Sequence, residues 1–225
     1  MQEPLQRPPP GPVEASRTDV AVRLGYEQVT AGDAALRRIA EQHGYPDPYT
    51  WSGGAPAGAS YFAALVLHVI SQQVTTATAR VVFDRVTAAF GWDLAPKDLA
   101  KLTPADLRRL GLSGAKAATL LDLTDRLLSG ALDLGALASV SDEEAIVNLC
   151  VVPGIGRWTA QMFLIHQLHR PDVLPAGDLG IRHAVQQGYG WPHLPTVHDV
   201  DDFGTRWRPH RTFAAALLWR SVTRG

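Results

Sequence analysis

The chain has 225 residues, of which 46% are hydrophobic and 19% are charged, with a formal net charge of -1. This composition is that of a globular protein with one large or two small domains. Cys150 is the only cysteine, which excludes a disulfide framework, a zinc finger and a four-cysteine iron–sulfur cluster. No run of about 18 apolar residues is present, so we expect no membrane span. The N-terminus lacks the apolar core of a secretory signal, so we expect a cytoplasmic protein.

Residues 1–17 are rich in proline and polar residues, which predicts a flexible tail before a core of residues 18–225. VAVRL at 20–24 is the one stretch that alternates as a strand does. From about residue 30 onward, helix start signals recur around a loop at 45–59. These signals are Asp33, Ser60, Thr103 with Pro104, Ser113, Ser141 with Glu144, Thr196 and Pro209. The pattern predicts an all-α fold with about eight to ten helices.

The charges are unevenly distributed. A net charge near zero argues mildly against nucleic-acid binding, because such domains are often basic. Acidic residues dominate 133–144, however, whereas five arginines gather near the C-terminus, at 206, 208, 211, 220 and 224. The sequence is therefore compatible with a basic surface on one side of a nearly neutral protein.

A Pro-Gly-Ile-Gly sequence at 153–156 leads into an apolar helical run, and three interpretations are open. The first is a dinucleotide-binding loop, but Thr159 occupies the third glycine position and no strand–helix alternation surrounds it. The second is a plain corner between helices, in which the glycines permit the turn. The third is a DNA-binding hairpin, in which Gly154 and Gly156 let the backbone approach a phosphate and the amides of residues 156–158 point at it.

Asp178 follows a Pro/Gly-rich loop and precedes LGIRHAVQQG, which has helical character. A capping role satisfies the amides of the first helical turn. A fixed anion also suits a reaction in which positive charge develops nearby. The two roles are compatible.

The segment VPGIGRWTAQMFLIHQLHRPDVLPAGDLGIRHAV resembles the signature of the helix-hairpin-helix (HhH-GPD) DNA glycosylase superfamily, and within it the 3-methyladenine DNA glycosylase II branch. Three more segments agree in order: LVLHVISQQVTTATARVVFDRV, LTPADLRRLGLSGAKAATLLDL and RWRPHRTFAAALLW. The resemblance implies a two-lobed helical core with the active-site cleft between the lobes and no N-terminal β domain. We expect lobe one to cover approximately 75–180, including the hairpin 152–158, and lobe two to cover approximately 18–74 and 181–225.

The resemblance also implies roles for single residues. Asp178 falls on the catalytic aspartate of the family, although the branch often has two acids in tandem where this chain has Gly177-Asp178. The base pocket is expected to include Trp158, Trp219 and Met162, and the wedge that fills the gap left by the flipped base Gln73 and Gln72. The hairpin that holds the DNA backbone comprises Gly154, Ile155, Gly156, Arg157 and Thr159, and further phosphate contacts fall to Arg208 and Arg211.

Each of these side chains also has an ordinary structural interpretation. A tryptophan on a helix packs in a core, a glutamine at a helix end caps a turn, and an arginine on a surface is solvated. The histidines show no metal-binding spacing, so we expect no cofactor and no metal except a structural monovalent cation on the hairpin carbonyls.

The predicted function is a monofunctional DNA glycosylase for alkylated purines of the 3-methyladenine and 7-methylguanine type, acting as a monomer on double-stranded DNA. Such purines already carry positive charge and leave without protonation, so one carboxylate suffices. Bifunctional members of the superfamily carry a lysine just after the hairpin, whereas Trp158 stands there. The alternative is a non-catalytic DNA-binding module that recognises damaged DNA.

Overall fold

The protein is all-helical. The structure is a computed structural model that describes residues 12–50, 54, 59–90 and 94–222, with side chains from residue 20 onward. Within these ranges it contains no strand and twelve α-helices: α1 (Pro12–Ala31), α2 (Ala34–His43), α3 (Tyr61–Ser71), α4 (Thr76–Phe90), α5 (Pro96–Leu99), α6 (Pro104–Arg109), α7 (Gly114–Ser129), α8 (Asp142–Cys150), α9 (Arg157–His166), α10 (Leu179–Tyr189), α11 (Val197–Phe203) and α12 (Arg211–Val222). Short 3₁₀ helices lie at Ala136–Ser139 and Gly204–Trp207. The predicted all-α class is confirmed.

Most helices begin where the sequence predicts. Ser60, Thr103 and Ser113 cap α3, α6 and α7, and each side chain accepts a hydrogen bond from an amide of the first turn. At the start of α8, Ser141 Oγ accepts from the amide of Glu144 at 3.3 Å while Glu144 Oε2 accepts from the amide of Ser141 at 3.0 Å. These reciprocal bonds form a capping box and satisfy two otherwise unpaired donors.

Helix α1 corrects the predicted N-terminal tail. The helix begins at Pro12, so residues 12–17 are helical rather than flexible, whereas residues 1–11 lie outside the described part of the chain. The alternating stretch 20–24 is also helical. The reason lies just beyond it, because Tyr26 is buried together with Val29 and Thr30 at the spacing of one helix face.

Helix α12 coincides with the segment RTFAAALLWRSV that the sequence predicts after Pro209. Helix α5 was not predicted, because its N-cap is Ala95, whose side chain makes no capping hydrogen bond. The carboxylate of Asp98 instead accepts from the Ala95 amide at 3.2 Å. Part of the predicted loop at 45–59 lies outside the described residues.

The chain divides into two structural units, and the first one is discontinuous. It comprises Met1–Pro48 and Ala176–Gly225 and contains α1, α2 and α10 to α12. Helix α12 lies at its centre, where seven consecutive residues from Thr212 to Leu218 are buried and the helix packs on α1, α2 and α10. Phe213 packs edge-to-face on Tyr26 of α1.

The second unit is Tyr49–Pro175 and is built around α3. Nine consecutive residues of this helix, from Phe62 to Ile70, are buried, and α3 packs on α4, α7 and α9. Residues 49–74 therefore belong to the second unit, although the sequence prediction groups them with the chain ends. A uniformly apolar helix must be enclosed by neighbours, and the neighbours of α3 follow it in the chain.

Candidate functional site

Asp178 is the N-cap of helix α10. Its backbone is extended, with φ -69° and ψ 127°, and its Oδ1 accepts a hydrogen bond from the amide of Ile181 at 3.0 Å. The residue is half-buried, whereas the following Leu179 is 56% exposed. The capping role expected from the sequence is therefore present, and it holds the carboxylate at the positive end of a helix near the surface of its unit.

Trp219 holds the same carboxylate from a second helix. Its indole Nε1 donates to Asp178 Oδ1 at 3.1 Å, across the packed pair α10 and α12. Two N–H donors on one oxygen fix the orientation of the carboxylate. The family resemblance implies a pocket role for Trp219, but the sequence gives no sign of this bond, because 41 residues separate the partners.

Gly180 is a site residue that the sequence reasoning missed. A Cβ atom at this position would lie 3.0 Å from Asp178 Oδ1 and 3.6 Å from Cδ1 of Trp219. A larger residue would therefore press on the carboxylate and its indole donor. The available signal was a glycine inside the first helical turn, where it weakens the helix and needs a packing reason.

The predicted hairpin joins α8 to α9. Gly154 has φ +92°, and a Cβ atom there would lie 2.0 Å from Thr119 Oγ1, so conformation and space both require glycine. Ile155 is 3% exposed and anchors the turn in the second unit. Gly156 is the N-cap of α9 and provides no side-chain cap. A helix N-terminus of this kind suits a phosphate group.

Two hairpin side chains make hydrogen bonds within the protein. The Arg157 guanidinium makes two 2.8 Å hydrogen bonds to Glu143 across the hairpin and holds the pKa of that carboxyl below its usual range. Thr159 is 3% exposed, and its Oγ1 accepts from Gln72 Nε2 at 3.0 Å. The two side chains thus stabilise the hairpin from either side.

The two predicted wedge residues differ in their surroundings. Gln72 is the C-cap of α3, and its Nε2 also donates to the carbonyl oxygen of Gly154 at 3.0 Å, so its side chain braces the hairpin. Gln73 is exposed and has φ +55°, a conformation that is uncommon outside glycine. Val74 beside it is 40% exposed. Gln73 therefore stands at the tip of the turn.

The remaining predicted contacts lie in both units. Trp158 is half-buried on α9, and Met162, one turn later, is 5% exposed and offers little surface to a ligand. Both belong to the second unit, whereas Asp178 and Trp219 belong to the first. Arg208 is exposed and Arg211 half-buried near the start of α12.

No metal site is visible in the described part of the chain. None of its clusters of histidine, cysteine, aspartate or glutamate has the three members that could hold an ion. His68 is fully buried, and burial together with the neighbouring His166 lowers its pKa to about 3, so it is neutral at physiological pH. Among the same residues, no helix has both the length and the apolar character needed to cross a membrane.

The family follows from comparison with known proteins. Residues 66–209 match the model of the HhH-GPD superfamily base excision DNA repair proteins, and the chain belongs to this superfamily. This range contains α9, the hairpin and Asp178. The resemblance seen in the sequence is confirmed.

Named relatives and a solved structure agree with this assignment. The chain is 29% identical over 170 residues to the putative DNA-3-methyladenine glycosylase YfjP of Bacillus subtilis, covering 72% of this chain but only 59% of that protein. It is 32% identical to DNA-3-methyladenine glycosylase 1 of Schizosaccharomyces pombe, covering 71% of this chain and 72% of that one. The structure of a 3-methyladenine DNA glycosylase from S. pombe in complex with abasic DNA superposes with a TM-score of 0.76 at 28% identity, covering 88% of this chain and 95% of that one.

Proposed function

We propose that the protein is a monofunctional DNA glycosylase that removes alkylated purines from double-stranded DNA during base excision repair. The observation that carries the proposal is Asp178, a capping carboxylate that Ile181 and the Trp219 indole hold by one oxygen. The names of the relatives support the substrate class. The products are a free base and an abasic site.

The chemistry needs one well-placed anion. Breaking the N-glycosidic bond moves electrons from the sugar toward the leaving base, so positive charge develops on the deoxyribose. The Asp178 carboxylate stabilises this charge and orients a water molecule that attacks the sugar. A purine alkylated at N3 or N7 is already cationic and departs without an acid. The only other acidic residue from 171 to 190 is Asp172, which agrees with a reaction that needs no second carboxylate.

Strand cleavage is not part of the proposed reaction. A lyase of this superfamily forms a Schiff base through a lysine amine. The chain has three lysines, at 97, 101 and 116, and Trp158 stands at the position after the hairpin. Lys116 Nζ donates to two backbone carbonyls and Lys101 pairs with Asp98. These engagements do not favour a nucleophilic amine.

The proposed DNA contacts are of three kinds: phosphate binding, stacking on the flipped base, and insertion of a side chain into the gap that this base leaves. The backbone at Gly154 and Gly156 receives a phosphate without reading sequence, and the exposed Arg208 adds charge. Trp158 stacks on the extruded base, which costs a few kcal/mol to flip. Gln73 enters the gap and its amide hydrogen-bonds the base left opposite. Thr159 and Gln72 support the hairpin that carries the phosphate contact.

The test is base release from alkylated duplex DNA, with the released bases separated by chromatography. The natural protein should release 3-methyladenine and 7-methylguanine and should nick the strand only after alkali treatment. Asp178→Asn should release both bases at least about a hundredfold more slowly, whereas the matched variant Asp125→Asn, which alters an exposed acid on α7, should match the natural protein. Tight binding of damaged DNA without release by the natural protein would instead identify a binding module.

A further inference from the structure

Helix α7 contacts the turn that carries Gln73 through Lys116. The half-buried Lys116 ammonium donates to the carbonyl oxygens of Ile70 at 2.8 Å and of Gln72 at 2.7 Å. These carbonyls lie at the C-terminal end of α3, where a cation is favourable. Burial lowers the pKa of Lys116, as expected for an ammonium withdrawn from water. Lys116 therefore fixes the end of α3 immediately before Gln73.

The same turn is joined to the hairpin through Gln72. While its carbonyl accepts from Lys116, its side-chain Nε2 donates to the Gly154 carbonyl and to Thr159 Oγ1, both at 3.0 Å. Thr119, three residues after Lys116 on α7, lies directly under Gly154. Helix α7 is thus a common base for two surface elements that are more than 80 residues apart in the chain.

The backbone of Gln73 needs such support. A non-glycine residue at φ +55° is held in a sparsely populated conformation, which persists only when the surrounding structure determines it. Gln73 itself is exposed, and Lys116 fixes the backbone carbonyls of Ile70 and Gln72 just before it. Loss of the Lys116 donors would leave the conformation of the tip poorly defined.

We propose that Lys116 is a positioning residue for the Gln73 side chain, which inserts into the DNA. Together with Gln72, Lys116 couples the turn that carries Gln73 to the hairpin. The binding of the DNA backbone by the hairpin therefore determines where Gln73 enters the DNA duplex. The inference rests on the proposed function. Lys116 touches neither substrate nor reacting atoms and acts through the backbone of residues 70–73. Its effect should therefore appear only where a base must be extruded from a duplex.

This dependence gives a test that a general structural role does not reproduce. A base in single-stranded DNA is already unstacked and needs no plug in the gap, whereas a paired base does. Lys116→Met keeps the aliphatic chain but removes the donors. It should slow single-turnover release from alkylated duplex by about ten- to a hundredfold, the scale of a misplacement of about 1 Å. Release from alkylated single strands should fall by less than about threefold, and binding of undamaged duplex should stay within about twofold.

Matched variants isolate the cause. Lys116→Arg retains donors for the two carbonyls and should recover most of the duplex rate, whereas Lys97→Met makes the same change at an exposed position and should leave both rates unchanged. If Lys116→Met melts below the assay temperature, Gln72→Ala breaks the same coupling and should show the same selectivity. Equal losses on duplex and single strands, or no loss on duplex, would overturn the proposal.

Hydrogen exchange separates this proposal from the proposed function. Amides of residues 72–75 and of 152–156 should both exchange faster in Lys116→Met than in the natural protein, whether or not any base is released. Faster exchange in 72–75 alone would overturn the coupling. Absence of base release by the natural protein would contradict the proposed function and leave this exchange result to decide the coupling.

Discussion

Asp33 and Asp178 are both helix N-caps in the first unit, and both accept a hydrogen bond from a tryptophan indole. Asp33 is 8% exposed, and its two oxygens accept four hydrogen bonds, from the amides of Ala35 and Leu36, the Tyr189 hydroxyl and the Trp207 indole. Asp178 is more exposed, and its Oδ1 accepts from Ile181 and Trp219. The same residue type in the same local position thus occupies two different environments.

The difference distinguishes a structural carboxylate from the carboxylate to which we assign the proposed reaction. Burial opposes ionisation of Asp33, but its four donors outweigh this effect and hold the pKa below its ordinary value. Asp33 joins α2 to α10 and to the 3₁₀ helix before α12, so its interactions stabilise the unit. Asp178 lies near the surface beside the exposed Leu179, as the proposed reaction requires. We therefore expect substitutions at Asp33 to reduce stability and substitutions at Asp178 to reduce activity.

The largest expected effect is on the reaction at Asp178. Asn is as good an N-cap as Asp, so Asp178→Asn should change the free energy of unfolding by less than about 1 kcal/mol. It removes the negative charge on which the proposed reaction depends, and single-turnover base release should fall by about 10²- to 10³-fold or more. Denaturant unfolding and single-turnover kinetics measure the two quantities on one preparation. A large loss of stability with modest loss of activity would reverse the assignment.

The next effect is on stability at Asp33. In Asp33→Asn an amide NH₂ replaces an oxygen that accepts from Tyr189 and Trp207, and the buried indole donor loses its acceptor. An unsatisfied buried donor costs about 1–3 kcal/mol, measurable by urea unfolding at pH 7.

The stabilising effect of Asp33 should also depend on pH. Because the pKa of Asp33 is lowered in the folded protein, its contribution to the free energy of unfolding is complete above its pKa in the unfolded chain, about 4, and is lost as the pH falls through its pKa in the folded protein. The difference in free energy of unfolding between the natural protein and Asp33→Asn should therefore decrease below about pH 4. An increase of this difference on acidification would contradict a lowered pKa for Asp33.

The two tryptophans extend the comparison. Trp219→Phe removes the donor that orients Asp178, and we expect about a tenfold slower release, equal to about 1.4 kcal/mol, with little change in stability. Trp207→Phe, at a 2% exposed position, should instead destabilise by about 1–3 kcal/mol and leave the rate unchanged while the protein is folded. If both variants changed the base-release rate and the free energy of unfolding alike, the division into a carboxylate for stability and a carboxylate for activity would be wrong.

The smallest expected effect concerns two glycines of α10. Gly180→Ala places a methyl group 3.0 Å from Asp178 Oδ1, and the carboxylate must move by a few tenths of an ångström, which should slow release by about two- to tenfold. Gly188→Ala meets only Ile39 Cδ1 at 4.0 Å and should stabilise the helix by up to about 1 kcal/mol without affecting the rate. Equal rates for the two variants would show that the position of the carboxylate is not critical.

Local signals in the sequence predicted most helix starts, the turn at 153–156 and the cap at Asp178, because capping and turns depend on residues within three or four positions. The resemblance to a family selected the DNA-binding hairpin among three interpretations and added the proposed role of Asp178. The bond from Trp219 to Asp178, the Tyr189 and Trp207 donors to Asp33 and the link from Lys116 to Gln72 were not predicted. These partners are between 41 and 174 residues apart, and only the packing of helices brings them together.

The division into units shows the same limit. Ser60 predicted the start of α3, but the sequence did not show which helices enclose it, so residues 49–74 were grouped with the chain ends rather than with the second unit. The start of α1 was missed because proline and polar residues near the N-terminus resemble a tail. Periodicity identifies a helix and its buried face, whereas the identity of its neighbours depends on interactions across the whole chain.

The most direct measurement is the single-turnover rate of purine release from alkylated duplex DNA by Asp178→Asn and Asp33→Asn, compared at a temperature where both remain folded. We predict that Asp33→Asn releases base within about threefold of the natural rate and that Asp178→Asn is at least about a hundredfold slower. A natural rate with Asp178→Asn would contradict the role of this carboxylate in the reaction.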